Sequence, residues 1–91
     1  MEHFLVELYV PRREASGFEE EAQRIRSVTD DLHRRGLQIR HLRSLFLPED
    51  ETCFHLFEAR GVEVVEETVR AAGLECERIS QALDSGSDVC A

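Results

Sequence analysis

Residues 53–60, Cys53-Phe54-His55-Leu56-Phe57-Glu58-Ala59-Arg60, decide the fold. Aromatic and aliphatic residues alternate with polar ones and neither Pro nor Gly interrupts, the pattern of a half-buried strand. A turn precedes the stretch (Pro48-Glu49-Asp50-Glu51) and a helix-like segment follows Gly61, which places the strand in mid-sheet. His55 stands at its centre. An imidazole there must face a cavity or find a hydrogen bond.

Outward from this strand, 3–10 alternates over Phe4, Val6, Leu8 and Val10 and ends at Pro11, which cannot donate to a ladder. Ser16-Gly17-Phe18-Glu19 has the spacing of a capping box. Phe18, Ala22, Ile25, Val28 or Thr29, and Leu32 recur at helical period, one apolar stripe ending at Gly36. Residues 37–47 form a second strand with weaker alternation, hairpinned to the third. Val62, Val65, Val69 and Ala72 give a second helical stripe, stopped by Gly73, and 75–83 is a fourth strand. The order β-α-β-β-α-β predicts a ferredoxin-like α+β sandwich, a four-stranded antiparallel sheet with both helices on one face. The expected domain is 1–83, with 84–91 a flexible tail.

Composition excludes several tasks. Nineteen acidic and eleven basic residues give a net charge of −8, which opposes nucleic acid and anionic membrane surfaces. No apolar run approaches a membrane span and no basic segment precedes the apolar N-terminus. Cys53, Cys76 and Cys90 are odd in number and widely spaced, which argues against a disulfide framework and for a cytoplasmic location. There is no Gly-rich phosphate loop or nucleophile elbow. A 91-residue chain buries a modest core, so a homodimer is expected.

Side-chain parity points to the site. With Phe4, Val6, Leu8 and Val10 under the helices, Leu5, Glu7 and Tyr9 face the open side of the sheet. With Phe54 and Leu56 inward, Cys53, His55, Phe57 and Ala59 face outward. With Leu42 and Phe46 inward, Ile39, His41, Arg43 and Leu45 face outward; a bulge in the second strand would reverse part of that set. The open face then carries Leu5, Tyr9, Ile39, Leu45, Cys53 and Phe57 around Glu7, His41 and His55. Two such faces stacked make a dimeric α+β barrel with a chamber for a small apolar ligand. Two imidazoles and a carboxylate also suit a divalent ion, Ni²⁺, Zn²⁺ or Fe²⁺. The competing readings are a hydrogen-bonded strand histidine at 55, an ion pair of Glu7 with Arg43 or Arg78, an interaction module without catalysis, and a cofactor-free dimeric-barrel enzyme (monooxygenase, isomerase or cyclase) in which Tyr9, His41 or His55 moves a proton.

The chain resembles the small bacterial ferredoxin-like proteins grouped as domain of unknown function 4242, some of which are called nickel-binding proteins. The resemblance rests on Phe4-Leu5-Val6-Glu7, Gly36-Leu37, Cys53-Phe54-His55-Leu56-Phe57-Glu58-Ala59, Ala72-Gly73-Leu74 and Glu77-Arg78-Ile79. It implies a ferredoxin-like homodimer that binds nickel. Leu8 stands where that family often has Arg, His41 where it often has an aromatic residue and His55 where it often has Cys, so no ligand position is carried over.

Overall fold

The first strand, β1 (Glu2–Tyr9), is followed by α1 (Phe18–Arg34), β2 (Ile39–Leu47), β3 (Thr52–Ala59), α2 (Val62–Ala72) and β4 (Arg78–Ala82). This is a computed structural model that describes residues 1–83; the expected tail, 84–91, lies outside them. The strands form one antiparallel sheet in the order β2-β3-β1-β4. Both helices contribute to the same core as the inward residues of the sheet. The architecture is the expected ferredoxin-like α+β sandwich.

Burial on β1 alternates strictly. Phe4, Val6 and Leu8 pack into the core, while Leu5 and Glu7 lie on the open face. An alternation this clean follows from a set with no polar member, because any other parity would bury Glu7. Ile25 and Thr29 anchor α1 in the core, and the Thr29 hydroxyl is satisfied by the Ile25 carbonyl at 2.7 Å. Val65, Thr68, Val69 and Ala72 anchor α2, while Val62, expected in that stripe, is exposed.

The expected capping box does not form. Residues Arg12–Gly17 wind as a 3-10 segment, and Gly17 is the N-cap of α1 without a side-chain bond. Ser16 thus lies within a helical turn, not in the extended backbone a capping hydroxyl needs. The segment is held by the β2–β3 turn, where Glu51 accepts the Arg12 backbone N–H at 2.8 Å. The stop at Gly73 is as expected. Its φ of 71° closes α2 in the left-handed region, which costs glycine little and other residues about 1 kcal/mol.

Two features of the sheet position the site. In the β1–β3 register Val6 faces His55, Leu8 faces Cys53 and Phe4 faces Phe57. Directly paired residues share a face, so Cys53, His55, Phe57 and Ala59 point beneath the helices, with Phe54 and Leu56 on the open side. This reverses the parity expected for β3. The sequence pattern was ambiguous there, because both parities are largely apolar, and pairing with the unambiguous β1 decides. In β2, a bulge falls between His41 and Arg43. Ile39 and His41 are inward before it, Ser44 and Phe46 after it, and Arg43 and Leu45 are outward. The extra residue keeps Arg43 out of the core while His41 stays in.

Candidate functional site

Glu7, His41 and His55 do not share a chamber. Glu7 pairs with Phe54 and Arg78 on the open face, and its carboxylate meets the Arg78 guanidinium at 3.4 Å. The ion-pair alternative therefore describes Glu7. His41 and His55 lie beneath the helices, 8% and 1% exposed. The expected pocket lining divides in the same way. Leu5, Tyr9 and Leu45 are on the open face, whereas Ile39, Cys53 and Phe57 are core residues. Among the described residues, no group of three His, Cys, Asp or Glu side chains has the geometry to hold a metal ion.

The two histidines nevertheless meet. Their ring centroids are 5.9 Å apart, edge to face, and His41 also packs on Phe57 at 5.4 Å. Between them stands Ser44, opposite His55 in the β2–β3 register. Its Oγ lies 2.9 Å from His41 Nε2 and 2.6 Å from His55 Nδ1. On the far side, His55 Nε2 lies 3.7 Å from Cys53 Sγ. At the near end Arg26, on α1, donates its Nε–H to His41 Nδ1 at 3.1 Å and an amino N–H to the Leu42 carbonyl at 3.1 Å.

Arg26 fixes the direction of this chain of bonds. A guanidinium has donors only and stays charged, so His41 Nδ1 must accept. In the neutral ring Nε2 then carries the hydrogen and donates to Ser44. The serine hydroxyl is left to donate to His55 Nδ1, and His55 Nε2–H points at the Cys53 sulfur. Every buried polar side-chain atom among the described residues has a partner. The opposite direction would set two N–H groups against each other at Arg26.

Electrostatics hold both rings neutral. Burial, then the Arg26 guanidinium and His55, push His41 down to about 4, partly opposed by the Arg43 backbone and Asp30. Burial likewise pushes His55 down to about 4; Glu21 opposes the shift and Arg24 adds to it. Burial, aided by Glu21, pushes the Cys53 thiol up to about 11. At neutral pH the site holds two uncharged imidazoles, a hydroxyl and a thiol.

The site reaches solvent through a cleft of about 420 Å³ between α1 and β2. His41 and Ser44 form its floor; along α1, Phe18 and Ala22 give an apolar wall that Arg26 and Asp30 continue. Phe18 stacks on Phe46 at 5.7 Å and also borders a second cleft, about 260 Å³, that reaches Cys53. Sequence reasoning missed Ser44 and Arg26. His41 and Ser44 differ by three positions, so in a regular strand they point to opposite faces. The available signal was Arg43, whose charge at the parity of Ile39 and His41 requires a break in the alternation.

No family model matches the chain, and no curated protein matches it. Among solved structures, the crystal structure of SCO4226 from Streptomyces coelicolor A3(2) superposes with a TM-score of 0.73 at 18% identity, covering 91% of this chain and 98% of the other. At that identity the likeness establishes the shared ferredoxin-like fold.

Proposed function

We propose that this chain binds a small organic molecule in the cleft between α1 and β2, with His41 and Ser44 as its polar floor. The observation that carries this reading is the Arg26–His41–Ser44–His55 chain of hydrogen bonds. Its His41–Ser44–His55 portion is neutral and fully satisfied, with both imidazoles buried, yet it opens onto a cleft large enough for a compact ligand. Apolar walls with a few oriented polar groups are the usual make-up of such sites. A divalent ion fits less well: Glu7 is on the other face, and each ring nitrogen of His41 and His55 already has a partner.

The test is chemical-shift mapping with a set of small neutral, amine-bearing and carboxylate-bearing aromatic fragments. Binding shifts confined to Arg26, His41, Ser44 and Phe18 support the cleft. Shifts confined to Leu45, Phe54 and Leu56, or none, reject it.

A second role has its own observation. The open face carries Leu5, Leu45, Phe54 and Leu56, Leu45 being 52% exposed, beside the Glu7–Arg78 and Arg40–Glu58 ion pairs. A self-complementary patch of this kind suits two copies related by a twofold axis. The homodimer of this proposal is joined there, away from the cleft.

A further inference from the structure

We propose that Ser44 is a nucleophile, activated by His55, that takes the acyl group of a small neutral ester bound in the α1–β2 cleft. The inference rests on the cleft reading and adds a reaction to it. Three observations support it. The Ser44 Oγ to His55 Nδ1 distance of 2.6 Å is that of a strong hydroxyl–imidazole bond. The direction imposed by Arg26 makes the serine the donor in that bond and His55 the acceptor, as a base must be. Ser44 lines the cleft, so its oxygen is within reach of a bound ligand.

The lone pairs permit attack. A serine oxygen has two. One accepts the His41 Nε2–H at 2.9 Å, and the other is free for an electrophile. Cys53 stands behind the base where an orienting acceptor is needed and keeps His55 in the Nδ1-accepting tautomer. The Arg26 guanidinium lines the same cleft, as a donor toward charge developing on the attacked carbonyl.

The step balances as an ordinary acyl transfer. Ser44 Oγ bonds to the ester carbonyl carbon while its proton passes to His55 Nδ1. The tetrahedral adduct collapses, the ester C–O bond breaks, and the departing alcohol takes the proton from His55. Water then bonds to the acyl carbon as its proton passes to the same nitrogen, the bond from that carbon to Ser44 Oγ breaks, the acid leaves, and His55 returns the proton to Ser44 Oγ. Charge selects the substrate class. Glu19 and Asp30 border the cleft against the single guanidinium of Arg26, so phosphate monoesters and other dianions are disfavoured and uncharged esters are favoured. Phe18 and Ala22 supply the wall for a short acyl chain.

The experiment treats the full chain with diisopropyl fluorophosphate, whose P–F bond Ser44 would cleave to leave a stable adduct, and with p-nitrophenyl acetate. Intact mass and peptide mapping read the result. The expected outcome is a single adduct, on Ser44, absent from Ser44→Ala and formed on the order of 100-fold more slowly in His55→Gln. Circular dichroism confirms that each variant is folded. No adduct on Ser44 of the wild-type chain, labelling spread over surface serines, or an unchanged rate in His55→Gln overturns the proposal. The unreactive amide p-nitroacetanilide separates the two claims. If it shifts the resonances of Arg26, His41 and Ser44 while no adduct forms, the nucleophile fails and the cleft stands; if it shifts none and no adduct forms, both fail.

Discussion

Ser44 and His55 face each other across the β2–β3 ladder, and the serine hydroxyl closes to 2.6 Å from the imidazole Nδ1. This bond joins two elements of the sheet and, through His41 and Arg26, ties the sheet to α1. Removing the hydroxyl strands two buried groups, the His41 Nε2–H and the His55 Nδ1 lone pair. Each orphan costs about 1–3 kcal/mol, so Ser44→Ala is expected to destabilise by roughly 2–6 kcal/mol in urea denaturation. A cost below about 0.5 kcal/mol, in the range of a neutral surface substitution, would show that the hydroxyl does not bridge the rings.

Arg26 is expected to control the His41 tautomer. With the guanidinium in place Nδ1 accepts and Nε2 carries the hydrogen. Arg26→Met keeps the aliphatic packing and removes both the donor and the positive charge. Nitrogen-resolved NMR should find His41 in the Nε2–H form in the wild type and in mixed tautomers in the variant. The His41 pKa should rise from about 4 but stay below its ordinary 6.5, because burial is the larger cause of the depression. An unchanged tautomer and titration in Arg26→Met would place the control elsewhere.

The contrast between what the sequence disclosed and what it hid is physical. β1 was legible because Phe4, Val6 and Leu8 leave no apolar alternative, and the helical stripes of Ile25 and Val65 were legible for the same reason. β3 was not, since Phe54 and Leu56 are as apolar as Cys53 and Phe57. Only non-local pairing with Val6 and Leu8 sends His55 inward. Ser44 was hidden by the bulge at Leu42, and Arg26 because an exposed-looking helical arginine carries no mark of a partner on β2. His55 itself was legible as a polar group needing a partner, though the partner's identity was not.

Stability should fall as pH drops from about 6.5 to about 4. Both His41 and His55 have depressed values near 4 in the folded chain against an ordinary 6.5. In that window the unfolded chain binds protons that the folded chain does not, so unfolding becomes easier as pH falls. The groups facing His41 are Arg26, Asp30 and His55, and those facing His55 are Glu21 and Arg24. The loss is expected to be on the order of a few kcal/mol, measured by denaturant titration at pH 7 and pH 4.5. In His41→Gln/His55→Gln the slope should flatten. A wild-type curve flat across the window would mean that the rings are not held neutral by burial.

The Cys53 thiol is expected to resist alkylation. It is 2% exposed and pushed up to about 11 from 9.0, so the thiolate fraction at pH 8 is about 100-fold below that of a free cysteine. Iodoacetamide followed by peptide mapping should label Cys76, which is half-buried, well before Cys53 in native protein, with Cys53 labelled readily after unfolding. Fast labelling of native Cys53 would show that burial does not keep the thiol protonated and closed to reagent.

The open face offers the last test, independent of the cleft. Leu56 pairs with Leu5 on one side and Arg43 on the other, and Leu45 pairs with Phe54. All four apolar side chains lie on the surface opposite the helices, where a lone chain leaves them to solvent. The wild type is expected to sediment at twice the chain mass of 10.5 kDa. Leu45→Glu/Leu56→Glu places two carboxylates on the patch, and four in the dimer, where like charges brought together out of water are strongly unfavourable. The variant should sediment as a monomer and keep its His41 and Ser44 resonances, because the core beneath the helices is untouched. A wild-type monomer at micromolar concentration would remove the homodimer from the proposal and leave the cleft to act in a single chain.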